Sequence, residues 1–369
     1  MVLLVLWLPF IRCQFHWPGL RDWSLYGVGY TVQQPKPSLA SISSMSYQND
    51  IDVHAKEHIG YRDFLIRLDN QLDYWLFGLL RSNIIKAKKG NLIGGDYMED
   101  YLGKNSLKES QWIEKTSKLR RFQDTLAARH INVLYCIAPG KASFAADKIP
   151  DQYLTQLQPV NNYKMMKEQL MLHGCNTINF HAWFDDLKQH PSGCKLYPDI
   201  GAHWSVYGAS LALDSLLRYM SASKGVTLRA FVKTMGRRQV PDKWLDTDLR
   251  DMTNLLCEFP VDSVSYPHYA FSNADSASAD RPRITVISDS YMVSMEYCTD
   301  LYQFFDSRSR VWDYCTHENY LSGAGTGRAI NIADIDSSDF VIIMATERNY
   351  DKFDFGLIDT YFRSKSATR

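Results

Sequence analysis

The sequence has no surplus of either charge, with 41 Lys and Arg against 41 Asp and Glu. A chain so balanced offers no electrostatic footprint for nucleic acid, and the basic cluster Lys86-Ala87-Lys88-Lys89 is too short to make one. The seven cysteines include no Cys-x-x-Cys pair, and none is grouped with histidine at zinc-finger spacing, so no structural metal is expected. Cys175 with Cys194, and Cys298 with Cys315, could each close a short loop in an oxidising compartment, which spacing alone leaves open. No Gly-rich phosphate loop is visible, so no nucleotide or other cofactor is expected. No internal repeat is present. Long apolar runs are missing too. The stretch from Val2 to Ile11 is ended by Arg12 and falls well short of the roughly 20 residues that cross a bilayer. With no basic residues before it and no small-residue cleavage site after it, it fits a signal peptide poorly. Residues 1–12 therefore read as the remnant of a membrane anchor, with a buried N-terminal strand or helix as the competing reading. Residues 13–50 read as a linker, ending in the Ser-rich patch SLASISSMSYQND.

What is present is a globular chain. Its 369 residues, 45% hydrophobic and 22% charged, suffice for one large domain or two modest ones. The 9 Trp and 22 Tyr can stack on sugar faces, but they also fill cores.

Helical periodicity runs from residue 51 to about 83, and a second helix follows from Ser106, where Glu109 stands at capping-box spacing. Next, INVLYCIAPGK is a continuous apolar run closed by Pro139-Gly140, which suits a strand buried on both faces of a parallel sheet. The pattern recurs. NTINF precedes a helical AWFDDLKQH, ITVIS precedes YMVSMEYC, and FVIIMAT precedes a turn and a final helix, GLIDTYF. Alternation of this kind predicts one α/β domain over residues 51–369, with a mostly parallel central sheet flanked by helices. A polar insertion, 221–282, carries its own short helix near DTDLRDMTNLLCEF.

Two loops could carry chemistry. In RITVISDSYMVSMEY, a buried strand runs through Ser288-Asp289-Ser290 into a helix. Ligands bind at the C-terminal ends of such strands. A serine at a helix N-terminus also lies beside free N–H groups that can stabilise an oxyanion. The same position suits a plain helix cap. The other loop is YPDIGAHWSVYGASLALDSLLRYM, residues 197–220, in which Ser205 is the expected N-cap of an amphipathic helix. His203-Trp204 then sits on a loop held by that docked helix, poised either for a cleft or for packing.

Taken together, the SDSY block (288–291) and the GAHWSVYG block (201–208) resemble the SGNH-hydrolase-like acetyltransferase family, the group typified by alginate O-acetylation proteins. Other segments fit in order: GYRDFLIRLDNQLDYWLFG with NIIKAKKGNLIGGDYMEDYL as its N-terminal entry, IAPGKASF as its Pro-x-Lys loop, DTDLRDMTNLL as its acidic segment, and SDFVIIMATERNYDKF as its closing strand. The resemblance implies an SGNH-like fold and a Ser-His-Asp site, with Ser290 as nucleophile and His203 as general base. It also implies O-acetyl transfer to hydroxyls of a cell-surface or secreted polysaccharide. An integral-membrane O-acyltransferase would supply acetyl, and the protein would be a membrane-tethered component of the periplasmic or extracytoplasmic cell envelope. The family's Asp, two residues before the His, is Gly201 here, and Ser288 replaces a usual Gly. Asp199, Asp289 or a backbone carbonyl are the candidates for the far nitrogen of His203, with Asp199 the first choice. Glu347 and Arg348, at a strand end, line the cleft or form a structural ion pair. An esterase or deacetylase with the same site, and a catalytically impaired polysaccharide-binding or assembly protein, are the alternative functions.

Overall fold

A computed structural model describes residues 24–28, 34–225, 231–234, 238–239, 244–257, 259–260, 263–266, 268–271, 281–298, 301–319 and 331–367. The apolar run at the N-terminus and much of the insertion lie outside these residues. Among the described residues, no helix is long and apolar enough to cross a membrane.

The chain divides into two units, Met1–Ile84 with Leu249–Phe259, and Ile85–Asp248 with Pro260–Arg369. The smaller unit contains helices Leu39–Ser43, Ser46–Glu57 and Arg62–Phe77. The single helix expected from residue 51 is thus two, broken where Tyr61 adopts φ 61°. Polar contacts hold the last of them in its unit: Arg67 donates to the Leu255 and Ser24 carbonyls, and buried Gln71 accepts from Cys257 N–H.

The larger unit is built on a six-stranded sheet. Its strands are β1 (Asn132–Ala138), β2 (Thr177–Asn179), β3 (Ile284–Ser288), β4 (Arg310–Asp313), β5 (His317–Asn319) and β6 (Phe340–Thr346). They lie in the order β5-β4-β3-β6-β1-β2. The pairs from β4 to β2 are parallel, and only the edge pair β4–β5 is antiparallel. This is the expected SGNH-like α/β architecture. Every residue of β3 and of β6 is buried, which is why both read as unbroken apolar runs rather than alternating ones. Val133, Tyr135 and Ile137 of β1 and Val341, Ile343 and Ala345 of β6 share one face. They pack with Trp112, Leu119, Phe122 and Leu126 of α1 (Glu109–Ala127) and with Leu357, Ile358 and Tyr361 near the C-terminus. α1 begins later than the sequence suggests. Ser106 donates to the Gly103 carbonyl, and Gln111 caps the N–H of Lys108 instead.

Three further helices place the site: α2 (Val206–Lys224), α3 (Trp244–Met252) and α4 (Ser290–Cys298). Ser205 caps α2 as expected, accepting from Gly208 N–H at 3.0 Å. Because α2 runs to Lys224, the first residues assigned to the insertion are helical. Neither proposed disulfide is present, since Cys175 and Cys315 are both thiols.

Candidate active site

After β1 and β2 the chain crosses to the other side of β6, so winding reverses at the middle of the sheet, and β3 ends beside that reversal. In open α/β sheets, the crevice beyond such a point is where ligands collect. There the chain turns through Asp289 and enters α4 at Ser290, a half-buried residue.

Asp289 fixes this turn. It is fully buried, and one oxygen accepts from Tyr291 N–H at 3.2 Å. The other accepts from Thr346 N–H, from Thr346 Oγ1 and from Asn349 Nδ2, at 2.9, 2.6 and 2.9 Å. A carboxylate so filled with donors pins the serine turn to the end of β6 and is not the partner of His203. Ser288, where glycine is usual, is accommodated because its hydroxyl folds onto the Asp289 carbonyl at 2.8 Å. Met292 N–H is taken by the Asp289 carbonyl and Tyr291 N–H by its side chain. Of the first three N–H groups of α4, that of Ser290 is the one with no acceptor among the described residues.

The loop 196–205 brings His203 to this serine. His203 Nε2 lies 2.9 Å from Ser290 Oγ. Its Nδ1 lies 2.8 Å from Asp248 Oδ2, and the other oxygen of Asp248 accepts from Ala202 N–H at 2.8 Å. His203 and Asp248 are both buried. With Nδ1 protonated toward the carboxylate, Nε2 is left as an acceptor for the serine hydroxyl. A row of this kind can take a proton from a serine and return it.

Trp204 explains why the histidine is followed by an indole. It is fully buried, and Nε1–H donates to Ser294 Oγ on α4 at 2.7 Å. Tyr291, one residue after the serine, donates from its hydroxyl to the Ala202 carbonyl at 2.7 Å. The helix that begins with Ser290 therefore grips the residues on both sides of His203.

The structure brings Ser290 and His203 together and leaves Asp199 elsewhere. The Asp199 carboxylate faces Lys195 at 2.5 Å and Lys148 at 3.7 Å, while its backbone carbonyl accepts from Leu92 N–H. Asp248 holds the place assigned to it. Gly201 shows why no acid stands two residues before His203. A Cβ there would come within 2.6 Å of the Leu245 carbonyl oxygen, 2.8 Å of that of Asp246 and 2.8 Å of Pro198 Cγ. The first turn of α3 fills that space, and glycine admits it. The acid that meets His203 stands instead on the helix that fills this space. The acidic run Asp246-Thr247-Asp248 was visible in sequence, but nothing local tied it to a histidine.

At the end of β6, Arg348 pairs with Asp96 at 2.9 Å and donates to Tyr314 Oη at 2.8 Å. Glu347 is not its partner. That side chain is buried, accepts from Ser143 N–H at 3.2 Å, and is pushed by burial to a pKa of about 8. Among the described residues, no group of three or more His, Cys, Asp or Glu is arranged to hold a metal ion.

A serine at a parallel-strand end, beside a histidine and an aspartate on a doubly wound sheet, is an arrangement that several hydrolase folds share. The family model for the SGNH hydrolase-like domain of acetyltransferase AlgX matches residues 97–305, and the chain belongs to that family. Among solved structures, it is similar to the O-acetyltransferase domain of Pseudomonas putida AlgJ at 13% identity and a TM-score of 0.48, covering 76% of this chain and 100% of that one. Pseudomonas aeruginosa AlgX is similar at 13% identity and 0.43, covering 75% and 67%. Bacillus cereus PatB1 is similar at 10% and 0.44, covering 73% and 99%. Among curated proteins no match is found.

Proposed function

We propose that the protein is a serine-dependent O-acetyltransferase that moves an acetyl group through an acyl-enzyme to hydroxyls of a cell-surface or secreted polysaccharide. The observation that carries this reading is the row Asp248–His203–Ser290, with contacts of 2.8 and 2.9 Å. His203 Nε2 takes the Ser290 proton as Oγ attacks the acetyl carbonyl of the donor. The oxyanion that forms is stabilised by the free Ser290 N–H at the start of α4. On collapse, the donor leaves with the proton from His203, and acetyl remains on Ser290. An acceptor hydroxyl then enters, loses its proton to His203, and attacks the acyl carbonyl. Ser290 departs as the alcohol, reclaiming that proton. Asp248 holds Nδ1–H throughout and stabilises the imidazolium in each half-reaction.

Family membership supports an integral-membrane O-acyltransferase as the source of acetyl and an extracytoplasmic location. The apolar run Val2–Ile11 supports a tether there. The test is incubation of the full chain with p-nitrophenyl acetate, followed by intact mass. A single acetyl adduct is expected, absent from Ser290→Ala and discharged by an acceptor glycan faster than by water. Discharge by water alone would make the protein an esterase. No adduct, with glycan binding retained, would make it a binding module.

A further inference from the structure

The loop that presents His203 is also gripped from the side away from Ser290. Immediately after β1, the turn Pro139-Gly140-Lys141 meets residues 197 and 198 through two hydrogen bonds of opposite sense. Tyr197 Oη donates to the Pro139 carbonyl at 2.6 Å, and Lys141 Nζ donates to the Pro198 carbonyl. The Tyr197 ring stacks on Phe144 at 4.6 Å, and the Lys141 ammonium stands 5.7 Å from the centroid of that same ring.

Lys141 is out of place by ordinary rules. It is 1% exposed, and among the described residues no carboxylate lies within ion-pairing distance of it. Burying a charge without a partner is costly, and an apolar side chain of similar length would fill the same space without that cost. Burial lowers the Lys141 pKa to about 7, with Asp199 and Asp248 favouring the charged form and Lys148 and Lys195 opposing it. What the ammonium gains in return is a hydrogen bond. Among the described residues, the acceptor it reaches is the carbonyl of Pro198, on the segment leading through Gly201 to His203.

We infer that Lys141 is a positioning residue for the base: through the Pro198 carbonyl it fixes the loop that aims His203 at Ser290. The inference rests on the proposed acyl transfer, because it assigns Lys141 a role in that step alone. Gly140 is required by the same turn. A Cβ at that position would come within 2.6 Å of Glu347 Cβ and 2.8 Å of Tyr97 Cδ1, so glycine is what lets the chain pass into Lys141 without a shift. Displacement of a catalytic group by about 1 Å can cost on the order of a hundredfold in rate.

The experiment compares wild-type protein, Lys141→Met and Tyr197→Phe as full chains. Burst kinetics with p-nitrophenyl acetate are measured alongside the downfield proton signal of His203 Nδ1–H. Lys141→Met keeps the volume and removes the donor. It is expected to slow acylation by about tenfold to a hundredfold at unchanged KM, and to shift or broaden the Nδ1–H signal, with no loss of thermal stability. Tyr197→Phe cuts the opposite bond and leaves Lys141 in place. It is expected to act in the same direction by a smaller factor, and it decides the matter if Lys141→Met does not fold. Wild-type rates and an unmoved signal in a folded variant overturn the inference. If the wild-type protein forms no acetyl adduct, the proposed function fails. The proton signal then judges the clamp separately, an unmoved signal overturning it and a shifted one supporting it.

Discussion

Gly201 lies so close beneath helix α3 that a methyl group on it would come within 2.6 Å of the Leu245 carbonyl oxygen, and three residues on from Leu245 the same helix delivers Asp248 to His203. The absent acid and the present one are two sides of one packing arrangement.

Asp248→Asn is expected to slow acylation by up to about 10⁴-fold, because the amide favours the wrong imidazole tautomer, while the fold survives. Gly201→Ala should act through geometry, pushing α3 and its aspartate away. Overpacking of this kind costs about 1–3 kcal/mol, and the rate should fall with it. Burst kinetics and urea melts on the same samples check both. A wild-type rate in Asp248→Asn would remove Asp248 from the mechanism.

Two other aspartates separate structural from catalytic roles. Asp199→Ala breaks partly exposed ion pairs with Lys195 and Lys148, and is expected to cost no more than about 1 kcal/mol and to leave acylation unchanged. Asp289→Ala strips the acceptor from Thr346 and Asn349, whose donors are then buried without partners. A loss of about 3 kcal/mol or more is expected, with activity falling as the serine turn loosens. Equilibrium denaturation separates the two.

Ser294→Ala leaves the indole N–H of Trp204 buried without an acceptor. The expected destabilisation is about 1–3 kcal/mol. Equilibrium urea denaturation of Ser294→Ala against wild type checks it.

Glu347 gives stability a definite pH slope. Its folded pKa, about 8, lies above the 4.5 of a free side chain, so between those values the folded chain keeps a proton that the unfolded chain has lost. Stability from this group is complete below pH 4.5 and is lost as pH rises through 8. Lys141, with a pKa of about 7 in the fold against 10.5 in the unfolded chain, acts with the opposite sign above about pH 6, so the comparison is read between pH 5 and 6. Glu347→Gln should flatten the fall in melting temperature over that interval. An unchanged slope would show that Glu347 is ionised in the fold.

Much of this architecture could be read directly from the chain. β1, β3 and β6 are apolar runs closed by turn residues, and both faces of each are covered, so run length alone identifies them. Ser290 and His203 stand out because each sits on a loop entering a helix, a local feature. Asp248 could not be found that way. Its role depends on where α3 lands, and in sequence it is one of several acids in a polar insertion. Asp199 was the nearer choice along the chain, but two lysines claim it. β4 carries no comparable signal, because it has four residues, of which only Val311 and Trp312 are fully covered. The break before Arg62 was hidden because apolar periodicity does not register a left-handed Tyr61.

The aspartate that orients the base rides on a helix inside the polar insertion, the part of the chain with the weakest pattern of its own. Evolutionary drift there is therefore not free. Trimming the insertion would leave the parallel sheet and the adjacent serine and histidine in place, yet would remove the one carboxylate that, among the described residues, meets the far nitrogen of that histidine.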